Sequence, residues 1–269
     1  MNKKYFLLLV VALVMVMAWS TSAFAIDWTD NEYPINNTGQ TVYDAVKILE
    51  GHVRILNAMT TVNSPGHGTF DFYHVWYFGN FTVIKWWGGQ VLPGQRASLC
   101  FKRPQGQKST TIAIYFTDEH HNIVSGPVPV GTFGVVAQEG DFLLTIDNDW
   151  THWVGDTIPP APGDGSGAPV GPIDVGNLQY AVVDEEFTMA ELNPDLLIDP
   201  GITWTPLGSF PLNSGESEEY NLGALPSGKF VVVAAVIEGM GAETEHLMQF
   251  STTDDIPTLS EWAMIIFAV

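Results

Sequence analysis

Three groups of side chains in this 269-residue chain are of types that do chemistry. Phe70, Phe72, Tyr73, Trp76, Tyr77, Phe78, Phe81, Trp86 and Trp87 form a dense aromatic cluster. Exposed aromatic faces stack on the apolar faces of sugar rings, so the cluster points to a glycan surface, with Tyr73, Trp76 and Trp87 as its candidate contacts. Successive residues of a strand point to opposite faces, and the competing reading puts alternate members in a core. Histidines make the second group: His67 and His74 flank Asp71, and His120 and His121 follow Asp118-Glu119, each set offering ligands suited to zinc or copper. Neither set has the HExxH spacing, and Asp118 to Asn122 also reads as a solvated hairpin tip. In the third group Asp147, Asp149 and Asp156, with the Asp164-Gly165-Ser166-Gly167 loop, offer oxygen ligands to calcium. An EF-hand loop needs a glycine and a bidentate glutamate at fixed positions, and these are missing, so a solvated acidic loop is the alternative.

Catalytic signatures are absent: there is no G-x-S-x-G nucleophile elbow, no Walker loop, no G-x-G-x-x-G opening a helix and no haem-attachment motif. Cys100, the single cysteine, lies between Leu99 and Phe101 in an alternating run and reads as a small buried side chain, not a nucleophile. An enzyme, as a hydrolase of unspecified type, therefore ranks behind a binding or structural role.

The elements that must position these residues are strands. Ala113 to Phe116, Phe142 to Ile146 and Phe230 to Ile237 are β-branched or aromatic runs bounded by Gly, Pro, Asp or Asn. Thr41 to Met59 has some helical spacing, but Val46-Lys47-Ile48 and Val53-Arg54-Ile55 alternate on either side of Glu50-Gly51, as two strands around a turn would. The Pro/Gly-dense stretch 158–172 reads as a linker. The expected architecture is all-β: two antiparallel immunoglobulin-like sandwiches in tandem, 26–157 and 173–253.

Charge excludes some partners. The formal net charge is −20, and 22 of the 30 acidic residues lie from Glu139 onward, against one of the 10 basic residues, Lys229. Such a surface repels phosphate backbones, so nucleic acid is no partner. The same argument excludes anionic membrane surfaces, except through the C-terminal segment. With one cysteine there is no internal disulfide, and stability must come from burial.

The two ends carry an address. Met1 to Lys4 is basic, Tyr5 to Trp19 is apolar and Ala23-Phe24-Ala25 fits a cleavage site, so 1–25 reads as a secretory signal peptide. Ile256-Pro257-Thr258-Leu259-Ser260-Glu261-Trp262 resembles the signature of IPTL-CTERM bacterial sorting signals, here over 254–269. Its apolar span stops seven residues after Trp262, short of the roughly 20 that cross a bilayer, so the signal is expected to be truncated. The resemblance implies a Gram-negative envelope, export machinery and a membrane sorting peptidase as partners, and a cell-surface or extracellular location.

A second resemblance is carried by Asn37-Thr38-Gly39 and the following Tyr43 to Ile48, which is similar to the turn and strand of CARDB-like immunoglobulin-type modules. A short repeat accompanies it. Val91-Leu92-Pro93-Gly94-Gln95 and Pro211-Leu212-Asn213-Ser214-Gly215-Glu216 both run from apolar residues through a glycine turn into a polar strand. Together these readings expect an exported, non-catalytic structural or adhesive protein, with a carbohydrate-binding module as the first alternative. A surface glycan or a protein is its expected ligand, and the oligomeric state is not readable from the sequence.

Overall fold

The computed structural model describes residues 27–59, 65–104, 110–124, 128–138, 140–149, 151–153, 167–169 and 171–252. The expected leader, the sorting heptad and most of 158–172 lie outside these residues. Strands β1 (Asp27–Pro34), β3 (Asn57–Met59), β6 (Leu99–Pro104), β13 (Ile173–Val183), β14 (Thr205–Leu212), β16 (Phe230–Gly239) and β17 (Ala242–Ser251) form a seven-stranded sheet ordered β14-β13-β16-β17-β1-β6-β3. A five-stranded sheet has the order β4-β5-β2-β7-β8, from β2 (Asp44–Glu50), β4 (Phe72–Phe78), β5 (Phe81–Trp87), β7 (Thr111–Thr117) and β8 (Ile123–Val124). Strands β9 (Thr132–Gln138), β10 (Asp141–Asp147) and β15 (Ser217–Asn221) make a third sheet ordered β15-β10-β9, and β11 (Thr151–Trp153) pairs with β12 (Gly167–Pro169). Every one of these pairings is antiparallel, and among the described residues there is no α-helix, only a 3₁₀ turn at Pro194–Ile198. The all-β antiparallel class is as the strand signals predict.

One core holds the layers together. Trp28, Leu99 and Phe101 of the seven-stranded sheet share it with Ala45, Leu49, Ile84, Trp86 and Phe116 of the five-stranded sheet. Val175, Val231, Val233 and Phe250 share it with Phe142, Leu144 and Ile146 of the three-stranded sheet. Full burial of each large apolar side chain contributes roughly 1.5–3 kcal/mol. The opposite face of the seven-stranded sheet is covered by segment 184–204, whose Met189, Leu192 and Leu196 pack on Tyr33, Cys100, Val232 and Leu247. Asn31 Nδ2 fixes that segment by donating to the carbonyls of Met189 (2.8 Å) and Leu192 (2.7 Å), and Gln249 exchanges hydrogen bonds with the Phe187 backbone.

Strand pairing repeats along the chain. The order β5-β2-β7-β8 recurs as β14-β13-β16-β17, and the pair β6-β1 recurs as β15-β10. The sequence repeat is the same clasp built twice. Asn36, buried, donates from Nδ2 to the Val91 carbonyl at 2.8 Å, and Asn148, buried, does the same to Leu212 at 2.8 Å. In each clasp a glycine at φ +79, Gly94 or Gly215, makes the turn, and the Gln95 or Glu216 side chain accepts from the backbone N–H three residues earlier at 2.9 Å. Each turn carries the chain from one layer to the other.

This repeat divides the strands between β8 and β9, and β11 and β12 pair with each other from either side of residues 154–166. β17 pairs with β16 on one side and β1 on the other, making the seven-stranded sheet continuous across both sets. The 41–59 segment departs from the sequence pattern. β2 forms with Gly51 at φ +76 behind it, but residues 52–56 are not a strand, and β2 pairs with β5 and β7, not with its expected neighbour.

Candidate functional site

The aromatic cluster folds into a hairpin at one end of the five-stranded sheet. Residues of β4 alternate between its two faces, and their partners on β5 share those faces. On the outer face Phe72 stands opposite Trp87, His74 opposite Lys85 and Trp76 opposite Val83. The Phe72 and Trp87 ring centroids are 5.9 Å apart, and His74 stacks on Trp76 at 5.7 Å with an interplanar angle of 22°. Phe72 is 56 % exposed, and Trp76 and Trp87 are half-buried. The result is a row of rings along the sheet surface.

Beside the row lies a polar cluster on the same face. Buried Asp44 accepts from Thr117 Oγ1 at 2.9 Å and lies 2.8 Å from Lys85 Nζ and 2.6 Å from His121 Nδ1. His121 reaches it from the β7–β8 turn, at φ +65. That turn is the hairpin tip the sequence suggests, because Asp118 Oδ1 accepts from the backbone N–H groups of His120 (2.8 Å) and Asn122 (2.9 Å). Rings and an adjoining charged donor–acceptor set are the two components a sugar needs, one for its apolar faces and one for its hydroxyls.

The three residues proposed for glycan contact do not share one face. Tyr73 pairs with Trp86 on the inner side of β4, and its hydroxyl lies 3.3 Å from Asn57 Oδ1. Trp76 and Trp87 are on the outer side with Phe72, a member of the cluster outside the three candidate contacts. Trp86 is a core residue, with Nε1 donating to the Met59 carbonyl at 2.9 Å. The histidine sets are divided as well: His67 Nδ1 is 3.0 Å from Ser98 Oγ and its ring meets Tyr33 edge-on, while His74 lies on the aromatic row. Asp147 accepts from Ser217 Oγ and, with Arg103, Thr145 and Glu219, lines a cavity of about 280 Å³. Asp149 follows it in the chain, and Asp156 lies outside the described residues. Burial pushes the Cys100 thiol up to about 12, so it stays protonated, with its sulfur 3.6 Å from the Tyr33 hydroxyl.

Comparison with protein-family models, curated proteins and solved structures finds no match. The reading of the chain therefore rests on its own geometry.

A second constellation, unforeseen in the sequence, is a buried charge cluster. Asp30 and Glu32 face the core from β1, Lys47 from β2, Arg103 from β6 and His246 from β17. Lys47 Nζ is 2.7 Å from Glu32 Oε1 with both side chains fully buried, and His246 Nε2 is 2.5 Å from Asp30 and 3.6 Å from Glu32. Lys47 also lies over the Phe101 ring at 4.6 Å, and Arg103 over Trp28 at 4.6 Å. Asp30, Glu32 and His246 bring one ligand atom each within 4.8 Å of one another, close enough for one metal ion. The fit is poor, because Lys47 and Arg103 already balance the two carboxylates and a dication would leave excess positive charge in a low-dielectric interior. The cluster is read as an ion-pair network. Its one sequence signal is Lys47 standing alone in the apolar run Ala45 to Leu49, where a strand buried on both faces has no place for an unpaired ammonium.

Proposed function

We propose that this chain is an exported envelope or extracellular protein with a non-catalytic, adhesive role, and that the outer face of the β4–β5 hairpin is its glycan-contact surface. The observation that carries this reading is the surface row Phe72–Trp87 and His74–Trp76 beside the Lys85–Asp44–His121 cluster. Stacking on the rings holds the sugar, and the charged cluster orients its hydroxyls. The leader-like N-terminus and the Ile256 to Trp262 heptad support delivery to the envelope, and the acidic composition supports solubility there. In this reading the two strand sets are two immunoglobulin-like sandwiches fused edge to edge through β1 and β17, a rigid support for the hairpin.

The test is binding of the purified protein to glycan arrays and insoluble polysaccharides, comparing wild type with Phe72→Ala, Trp76→Ala and Trp87→Ala. Binding that weakens at least tenfold in these variants, with an unchanged circular-dichroism spectrum, is expected. Tyr73→Ala, on the inner face, should bind nearly as wild type. Retention on no glycan, or equal loss in Tyr73→Ala, would overturn the assignment.

A further inference from the structure

The strands at the ends of the sheets are mostly protected from pairing with another chain. β14 carries Pro206 and Pro211 and an irregular register against β13. β15 carries Glu218 and Glu219, and β3 and β8 are three and two residues long. β9 begins against β7, where the Thr111 N–H donates to Thr132 Oγ1 at 3.3 Å. β4 has none of these devices. Its seven residues include no proline and no acidic, lysine or arginine side chain, and among the described residues no strand pairs with its outer edge.

The sequence of β4 is also self-complementary. Phe72-Tyr73-His74-Val75-Trp76-Tyr77-Phe78 reads the same in both directions apart from the exchange of His74 and Trp76. We propose that β4 pairs antiparallel with β4 of a second copy about a two-fold axis at Val75, joining two five-stranded sheets into one of ten strands. This does not depend on what ligand, if any, the outer face takes.

Backbone chemistry selects that register. The two-residue Gly79-Asn80 turn, with Gly79 at φ +56, closes the β4–β5 hairpin at the pair Phe78↔Phe81. In a hairpin of this type the closing pair exchanges both hydrogen bonds and the pairs alternate from there. Phe72, His74, Trp76 and Phe78 therefore bond to β5, and Tyr73, Val75 and Tyr77 turn their N–H and C=O groups to the open edge. With Val75 opposite Val75, Tyr73 falls opposite Tyr77, and all three residues of each copy are satisfied. No other antiparallel register uses all three.

Side chains agree with the backbone. The register sets Phe72 against Phe78 and His74 against Trp76 on the outer face, and Tyr73 against Tyr77 on the inner, with no like charges opposed. It covers two exposed rings of the inner face, Tyr73 (39 % exposed) and Tyr77 (51 % exposed), in the isologous arrangement of a two-fold dimer. Charge favours this edge: before Glu139 the chain has 8 acidic and 9 basic residues, whereas the remainder has 22 and one. Copies repel through the acidic part and meet through the near-neutral part.

The experiment is sedimentation velocity on the full chain purified after export, over a series up to high micromolar concentration, with circular dichroism as the fold control. Wild type should sediment at twice the monomer mass. The double variant Tyr73→Glu/Tyr77→Glu places glutamates opposite one another twice and should be a folded monomer, as should Tyr73→Lys/Tyr77→Lys. An equimolar mixture of the two should again be a dimer. Under mild oxidation Val75→Cys should cross-link between copies, because a hydrogen-bonded pair sets Cα atoms about 5.5 Å apart, within disulfide reach, whereas Tyr77→Cys should not. A wild type that stays monomeric, a dimer that survives both charged variants, a mixture that stays monomeric, or cross-linking at Tyr77→Cys without Val75→Cys overturns the proposal.

Discussion

Lys47→Met tests the buried charge cluster most directly. The substitution keeps an unbranched stem beside Phe101 and removes the ammonium that lies 2.7 Å from Glu32. No hydrogen bond of ordinary geometry reaches either Glu32 oxygen among the described residues, and His246 Nε2 is 3.6 Å away. Removing one member of a fully buried pair leaves the other charge uncompensated, at a cost of about 3–5 kcal/mol. In a protein of this size about 1 kcal/mol moves Tm by about 2–4 °C, so the expected fall is on the order of 6–20 °C. Urea unfolding followed by tryptophan fluorescence measures it as a lower midpoint at an unchanged slope. Adding Glu32→Gln removes the orphaned charge, and the double variant should recover at least half of the loss. A single-variant cost below about 1 kcal/mol, the size of a surface pair, would refute the reasoning, as would a double variant that loses the sum of the two single changes.

Two other perturbations have a definite sign. Burial alone would raise the Asp30 carboxyl, but Lys47, His246 and Arg103 together outweigh it and hold Asp30 well below the usual carboxylate range. A depressed folded-state pKa gives stability that is complete above the unfolded value, about 4, and is lost as pH falls below it toward the folded value. Tm should therefore fall as pH drops below about 4, and the fall should be shallower in Asp30→Asn; parallel curves would count against the assignment. Among the glycines, a Cβ on Gly89 would stand 2.0 Å from the Thr69 carbonyl oxygen, whereas one on Gly94, at φ +79, would meet nothing within 4 Å. Gly94→Ala should cost about 1–2 kcal/mol of backbone strain, and Gly89→Ala more, because backbone must move apart; equal chemical-denaturation midpoints would contradict the close approach.

What the sequence reveals follows from how local each signal is. The β-branched runs of β7, β10 and β16 carry their own period, and the turns at Gly94 and Gly215 carry their own φ requirement, so strands and clasps are legible. Strand partnership is set at long range. β1 joins β17, more than 200 residues away, which no local pattern announces. The aromatic cluster was found, but which rings share a face depends on register: Tyr73 is one residue from Phe72 and so turns away from Trp87. Asp44, Lys85 and His121 lie on three separate segments, and only pairing brings them together.

Register is also where the buried charges act. All of Trp28 to Pro34 is buried in β1, so hydrophobicity alone gives weak direction as to which alternate set faces which layer. A slip of one residue would carry Asp30 and Glu32 to the face where Tyr33 packs on Leu192, and would bring Asn31 and Tyr33 into the layer of Phe101. The carboxylates would then lose Lys47, Arg103 and His246, which come from both layers and three other strands. Their pairing therefore discriminates against the slipped arrangement by several kcal/mol, even where an apolar replacement would match it in stability. The same discrimination aligns β1 between β17 and β6, which makes the seven-stranded sheet continuous. Amide hydrogen exchange of the Lys47→Met/Glu32→Gln variant is the measurement that separates the two effects: recovered global stability with weakened protection in β1 is the expected result, and full protection there would assign the charges no role in register.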